Sequence, residues 1–136
     1  MGARRGPPPG ETPSALRRAA LDRAARAETA VAEYVDALGY TIVARNLRLG
    51  RLELDLVARD GRTVVVVEVR TRAAGAYTTA FGSIDRAKRA RVRRAGERLW
   101  RERYRHDPSV DHLRFDAASV TFQGSAPRVS YCRAAF

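Results

Sequence analysis

The sequence is poor in cysteine, lysine and long apolar segments, and each shortage excludes a class of protein. Cys132 is the only cysteine, so the chain cannot form an internal disulfide and suits a reducing compartment. The longest run of branched apolar residues, Val64–Val67, is far shorter than the ~20 residues of a membrane-spanning helix. No apolar segment follows the N-terminal arginines, which argues against a secretory signal. We therefore expect a cytoplasmic protein without membrane contact.

Acidic residues are scarce relative to basic ones. Lys and Arg total 26 against 15 Asp and Glu, which gives a formal net charge of +11, and Lys88 is the only lysine. A positive field of this size attracts polyanions, of which nucleic acid is the most abundant. Abundant Ala and Arg are also typical of GC-rich codons, so an interaction domain for an acidic protein stays open as an alternative. The charge favours a nucleic-acid partner and does not by itself distinguish DNA from RNA.

The length of 136 residues suits one domain. Residues 1–13 are rich in proline and lack apolar periodicity, which predicts a disordered basic tail ahead of a single domain over 14–136. Ser14 is the predicted cap of a first helix that stops at Gly39. Helical spacing predicts an inward stripe on this helix, formed by Ala24, Val31, Val35 and Leu38.

The rest of the chain alternates short strands with one further helix. Arg72–Ser83 is flanked by glycines and predicts a mobile loop, and Ile84 to about Arg105 predicts an arginine-rich helix. The order is then α-β-β-β-α-β-β. Alternating apolar residues predict five strands: Tyr40–Leu49, Leu52–Ala58, Thr63–Thr71, His112–Phe122 and Arg128–Ala134.

Two of these strands carry three acids and are joined by a hairpin signal, Asp60-Gly61. A two-residue turn at that signal puts Glu53 directly opposite Glu68 and Asp55 diagonal to Glu68, about 7–8 Å away between backbones. The acids and Arg70 then share one face with three valines. The other face is wholly apolar, with Leu52, Leu54, Leu56, Val65, Val67 and Val69.

Carboxylates gathered in this way need a positive partner. Like charges opposite one another are destabilising unless a cation lies near them, and oxygen ligands suit Mg²⁺ or Mn²⁺ better than zinc. The predicted metal ligands are Asp55, Glu68, Glu28 from the shoulder of the first helix, and Glu53. The alternative is a solvent-facing polar sheet in which arginines neutralise the acids.

A family resemblance covers most of the chain. The stretches "AETAVAEYVDALGYTIVARNLR", "ELDLVARDG", "VVVVEVRTR" and "LRFDAASV", from about Glu28 to Phe122, resemble the YraN-like bacterial proteins. These are assigned to the PD-(D/E)xK, or restriction-endonuclease-like, superfamily and are similar to archaeal Holliday-junction resolvases. The resemblance implies an α/β fold with an αβββαβ core and a central mixed sheet flanked by helices. It also implies Mg²⁺-dependent endonuclease activity on nucleic acid, branched DNA included, and a homodimer.

The resemblance also implies the roles of individual residues. Glu28, Asp55 and Glu68 match the acids of resolvase-like members, and Arg70 falls where the superfamily usually has lysine. Arginine stays protonated and cannot serve as a general base, although it can stabilise charge on a phosphate. This departure keeps a second function open, a nucleic-acid-binding module without catalysis. On the arginine-rich helix the expected phosphate contacts are Lys88, Arg89 and Arg93, and a structural role for Lys88 is equally open.

Overall fold

The computed structural model of the chain describes residues 12–72 and 86–136. The predicted tail and the predicted mobile loop lie outside these ranges, except for their residues at 12, 13 and 72. No helix within the described ranges is long and apolar enough to cross a membrane. The elements are α1 (Pro13–Ala37), β1 (Thr41–Leu49), β2 (Leu52–Asp60), β3 (Thr63–Arg72), α2 (Arg86–Leu99), a π-helical turn (Trp100–Tyr104), β4 (His112–Gln123) and β5 (Ala126–Cys132).

The five strands form one mixed sheet in the order β1-β2-β3-β4-β5. Neighbouring strands run antiparallel except β3 and β4, which are parallel and are connected through α2. The predicted α/β class, with a central mixed sheet flanked by helices, is confirmed, and the arrangement is compatible with a restriction-endonuclease-like core. The predicted element order is confirmed as well.

The two long helices pack against the two sides of the sheet. On one side, Val31 and Val35 of α1 are buried in a cluster with Val65. On the other side, Val92 of α2 is buried in a cluster with Val64. Because neighbouring residues of a strand point to opposite faces, the valine run of β3 contributes to both clusters. β3 therefore forms the centre of the core.

The start and the inward stripe of α1 differ from the prediction. The cap is Thr12, whose hydroxyl oxygen accepts the backbone N–H of Ala15 at 3.1 Å. Ser14 already lies inside the helix, since Pro13 takes the first helical position, where its missing N–H costs nothing. The predicted inward residues Ala24 and Leu38 are exposed. The buried positions are instead Ala27, Ala30, Val31 and Val35.

The predicted hairpin register is wrong by two residues. Asp60 pairs with Thr63, so the turn is Gly61-Arg62 and not Asp60-Gly61. Gly61 has φ 59°, a left-handed conformation that glycine adopts readily. A residue far along the chain holds this turn: Arg62 Nε lies 2.6 Å from Asp111 Oδ2. If the observed register were continued past its last pair, Leu56–Val67, the residue opposite Glu68 would be Asp55 and not Glu53.

Gly96 allows the close approach of α2 to β4. A Cβ at this position would lie 2.5 Å from Phe115 Cε1, a clash that requires the ring or the helix to move. We expect Gly96→Ala to lower the free energy of unfolding by about 1–3 kcal/mol, despite the better helix propensity of alanine. Chemical denaturation measures this loss. The exposed Ala90 provides the control, because Ala90→Gly should cost only the propensity difference of about 1 kcal/mol. An unchanged or raised stability in Gly96→Ala would contradict the packing argument.

Candidate functional site

β2 and β3 separate beyond the pair Leu56–Val67. From this pair onwards β2 stays with β1, whereas β3 stays with β4. The sheet therefore opens into a fork. Asp55 is the first β2 residue past the last shared pair, and Glu68 is the first β3 residue past it. The strand separation thus begins at the two acids that the sequence singles out.

The Asp55 side chain bridges the base of the fork. Its Oδ2 accepts a hydrogen bond from the backbone N–H of Val69 at 2.9 Å. In a continued ladder a backbone carbonyl would accept from a strand N–H of this kind. Here the Asp55 carboxylate accepts instead of a backbone carbonyl. It thereby satisfies the Val69 N–H, which the separation of β2 from β3 would otherwise leave without an acceptor on β2. One hydrogen bond therefore joins the Asp55 side chain of β2 to the backbone of β3.

The strand alternation of β2 changes at Asp55. Leu54 packs in the cluster under α2, whereas Leu56 packs in the cluster under α1. A regular strand would direct both to one face, so the prediction that Leu52, Leu54 and Leu56 share a face is wrong. Asn46, which lies between the residues paired with Leu56 and Leu54, has a left-handed φ of 49°, whereas the register shift between β1 and β2 lies between Ile42 and Ala44.

Glu68 is the buried acid of the fork, with its side chain 3% exposed. Lys88 of α2 brings its Nζ to 2.6 Å from Glu68 Oε1. The contact is an ion pair whose angles fall outside hydrogen-bond geometry. A carboxylate this deeply buried requires a compensating charge, and the only lysine of the chain supplies it.

Burial and the nearby Glu68 raise the pKa of Asp55 to about 7, from an ordinary value of 3.8. Removal from water is the largest cause, followed by the negative charge of Glu68. A hydrogen bond between the two carboxyl groups raises the pKa further, whereas the Val69 N–H and the Lys88 charge lower it. The fork therefore holds two carboxyl groups that compete for positive charge.

A cavity of about 290 Å³ opens over the two acids. Its walls come from the start of β2, from Glu68 of β3 and from the first turns of α2. Three cationic, three acidic and two apolar residues line it: Arg51, Lys88, Arg91, Glu53, Asp55, Glu68, Leu52 and Val92. Acids in the base and cations in the walls suit a site that holds a cation together with an anion.

The other predicted acids lie apart from this pair. Glu53 lines the cavity but its side chain is 44% exposed, and it lies 4.0 Å from Arg48. Glu28 is absent from the described lining, and its Oε2 accepts from Asn46 Nδ2 at 3.0 Å. Among residues 12–72 and 86–136, no three Asp, Glu, His or Cys side chains are grouped closely enough to hold one metal ion. The described part of the chain brings two acids together, and the ligand roles of Glu28 and Glu53 stay predictions.

The predicted cationic residues are distributed unevenly. Arg70 is half-buried, and neither it nor Arg89 belongs to the described lining of the cavity. Arg93 is exposed and its guanidinium lies 5.6 Å from the centre of the Phe115 ring. Lys88 reaches the acids directly. The lysine at the acids therefore comes from α2, whereas position 70 of β3 is arginine.

Two cavity residues, Arg51 and Arg91, were absent from the predicted site. Arg91 follows Lys88 by three positions, a helical spacing that puts both on one side of α2, so the sequence contained a signal for it. Arg51 precedes the strand, where the sequence indicates only a charge that could neutralise the acids. Its place in the cavity depends on the fork, for which the sequence has no local signal.

The raised pKa of Asp55 makes stability depend on pH. Because its folded pKa lies above the ordinary value, the metal-free protein should lose stability as pH rises from about 4 to above about 7. We expect a loss on the order of 2–4 kcal/mol from this group. Thermal denaturation in chelator across this range measures it. Asp55→Asn should flatten the profile relative to wild type, and an identical slope in the two proteins would contradict the assignment.

The fold and the cavity together define a mixed α/β protein with paired carboxylates at a strand fork. The chain matches the family model described as "Uncharacterised protein family UPF0102" over residues 27–120. It therefore belongs to the UPF0102 family, and the predicted YraN-like relationship is confirmed.

Individual relatives agree with the family match. The chain is 56% identical over 125 residues to a UPF0102 protein of Sorangium cellulosum, covering 91% of this chain and 85% of the relative. It is 33% identical over 111 residues to a UPF0102 protein of Geobacter metallireducens, covering 82% and 88%. It is 38% identical over 107 residues to one of Beutenbergia cavernae, covering 78% and 88%. These names state no activity.

Proposed function

We propose that this protein is a Mg²⁺- or Mn²⁺-dependent endonuclease of the PD-(D/E)xK superfamily that cleaves phosphodiester bonds in nucleic acid. The observation that carries the proposal is the pairing of Asp55 with the buried Glu68 at the fork, within one cavity and beside a lysine. DNA is the expected substrate, and branched DNA is the form to which the resolvase resemblance points. The homodimer that the resemblance implies stays a prediction.

The residues present fit a divalent metal ion of the hard, oxygen-preferring kind. Burial and, after it, repulsion by Glu68 raise the pKa of Asp55, and an ion between the two carboxylates would compensate both. Asp55 and Glu68 would hold it, and Glu53 at the cavity edge stays a predicted further ligand. When bound, such an ion makes water a better nucleophile and neutralises phosphate charge.

The cationic side chains of the cavity bind and orient the phosphate. Arg51 and Arg91 line the walls above the acids, where their guanidinium groups can form paired hydrogen bonds to phosphate oxygens. Lys88 contributes a compact positive charge next to Glu68. Such fixed charges stabilise negative charge that develops in the transition state. Arginine does not serve as a general base, so the role open to Arg70 is electrostatic stabilisation of the phosphate.

The wider charge distribution supports a nucleic-acid substrate. The first turns of α2 carry Arg86, Lys88, Arg89 and Arg91 next to the cavity. Phosphate contacts of this kind release counterions, so affinity should fall steeply as salt rises. The net charge of +11 favours approach of any polyanion before the cavity is reached.

A second function, nucleic-acid binding without cleavage, is favoured by one observation. Lys88 already neutralises Glu68 at 2.6 Å, so the buried acid is compensated without any metal. Together with arginine at position 70, this suits a protein that keeps the fold and the charge but not the chemistry. Mg²⁺-dependent turnover distinguishes the two functions, since both predict binding.

The direct test is cleavage of labelled four-way junctions and linear duplexes by purified protein, with Mg²⁺, with Mn²⁺ and with chelator. Metal-dependent products that disappear in Asp55→Asn and in Glu68→Gln would support the nuclease. Cleavage that persists in both variants would trace to another protein and overturn the proposal. Tight binding with no cleavage under any condition would favour the second function.

A further inference from the structure

The first half of α1 projects beyond the sheet. α1 has 25 residues, yet its buried residues begin only at Ala27. In the preceding part, Pro13–Arg26, every residue is exposed except the half-buried Ala15. At ~1.5 Å per residue this segment, which we call the arm, extends about 21 Å. Residues 13–26 also lie outside the range that the family model matches.

The arm is strongly basic. It carries four arginines and one aspartate: Arg17, Arg18, Arg23, Arg26 and Asp22. Within the described ranges, Arg17, Arg18 and Arg23 form no ion pair or hydrogen bond with another side chain. Three guanidinium groups therefore face solvent with their donors available.

The root of the arm is fixed at the end of the sheet that holds the carboxylate cavity. Arg26 donates to the backbone oxygen of Ser125 in the β4–β5 turn, and its guanidinium lies 5.0 Å from the centre of the Phe122 ring at the end of β4. β3 runs parallel to β4, with Arg72 paired to Thr121. The arm thus leaves the molecule where β3 ends, about 13 Å along the strand from Glu68 at ~3.3 Å per residue.

We propose that the arm is a second nucleic-acid contact, which binds the phosphate backbone of the duplex next to the bond held in the cavity. This inference rests on the proposed function, because it assumes a nucleic acid in the cavity. The arm and the cavity lie at one end of the sheet but on opposite faces, as α1 and α2 do. A duplex that passes this end can meet both, so the arm selects substrates with double-stranded DNA flanking the cut site.

The charge pattern of the arm favours a polyanion over a lipid surface or a second copy. Membrane-bound helices separate a basic face from an apolar one, whereas Arg23 lies on the same side of the arm as the stripe of Leu16, Ala20 and Ala24. Pairing two arms would bring together two segments of like charge, with few large apolar residues to offset the repulsion. The phosphates of a nucleic acid can bind arginines that lie on different sides of the arm.

The test compares two triple variants that each remove three positive charges. In the arm variant, arginine is replaced by glutamine at exposed positions of the arm: Arg17→Gln, Arg18→Gln and Arg23→Gln. In the control, the same change is made at exposed positions near the other end of the sheet: Arg101→Gln, Arg103→Gln and Arg105→Gln. Circular dichroism and thermal melting check that both variants fold, as exposed substitutions should allow.

Fluorescence anisotropy in EDTA would measure affinity for a DNA duplex of about 30 base pairs, long enough to extend past the arm, as a function of salt. We expect the arm variant to bind at least tenfold more weakly near 50 mM salt, with a salt slope shallower by up to about 2.7. The control should change by less than about threefold.

Equal losses in the two variants would overturn the arm assignment. So would an arm variant that binds like wild type but no longer self-associates in sedimentation, or no longer binds phosphatidylserine vesicles. The cleavage assay stays independent of these results. If Asp55→Asn abolishes cleavage while the arm and control variants lose equal DNA affinity, the arm assignment alone is rejected. If the arm variant alone loses affinity and wild type shows no metal-dependent cleavage, the nuclease proposal alone is rejected.

Discussion

Replacing Asp55 by asparagine, or Glu68 by glutamine, should reduce Mg²⁺-dependent cleavage by about a thousandfold or more. Each change removes one anionic oxygen donor from the pair at the fork, while the side-chain volume stays nearly the same. Metal-assisted charge stabilisation contributes several kcal/mol to such reactions, and each ~1.4 kcal/mol corresponds to a factor of ten in rate. Added Mg²⁺ or Mn²⁺ should raise the melting temperature of wild type, and both variants should lose this stabilisation.

The stability of the metal-free variants separates a ligand role from a folding role. Asp55→Asn relieves carboxyl repulsion and should be at least as stable as wild type near pH 8, although a neutral amide oxygen is a weaker acceptor for the Val69 N–H. Matched controls come from exposed acids away from the cavity, Asp36→Asn and Glu97→Gln, which should cleave like wild type. Cleavage at the wild-type rate in Asp55→Asn and Glu68→Gln would contradict the assignment of the active site to the fork. An equal loss of cleavage in the two control variants would contradict it as well.

Glu28 offers a discriminating comparison with these variants. In the described structure its carboxylate is bound to Asn46, and it does not line the cavity. A loss in Glu28→Gln as large as that in Asp55→Asn would mean that Glu28 moves to the metal when substrate binds. A small loss would restrict the metal ligands to the fork.

Replacing Lys88 by methionine should destabilise the metal-free protein by about 2–4 kcal/mol, because it leaves the buried Glu68 without its partner. Cleavage should fall about a hundredfold, the usual cost of losing one fixed positive group at a reacting phosphate. Added Mg²⁺ should restore much of the lost stability, since the ion supplies the missing charge. Chemical denaturation with and without Mg²⁺, beside the cleavage assay, measures all three effects.

Lys88→Arg is the matched control, because it keeps the charge and changes the shape. Lys88→Arg should retain most of the wild-type stability but a smaller fraction of the wild-type cleavage activity. If Lys88 only covered apolar surface with its stem, methionine would be neutral or slightly stabilising. That outcome, with no Mg²⁺-dependent difference between the variants, would contradict a role for Lys88 at the acids.

The register of the hairpin shows where inference from pattern stops. A shift of two residues leaves every side chain on its face, so alternation cannot tell the predicted register from the observed one. The choice is made by contacts from far along the chain: Arg62 binds Asp111, and Asp60 lies 3.5 Å from an Arg114 nitrogen. The local signal Asp60-Gly61 correctly located the hairpin but not its central pair.

The sequence by itself determined the order of the elements, the valine-rich third strand, the family, and the two acids that the fold brings together. These features depend on short-range periodicity and turn chemistry, which neighbouring residues specify. Only the tertiary structure decided that the sheet opens at Asp55, that Lys88 meets Glu68, that Glu28 turns towards Asn46, and that the arm extends past the sheet. Each of these depends on contacts between residues distant in the chain, or on where the sheet ends, and no local pattern encodes either.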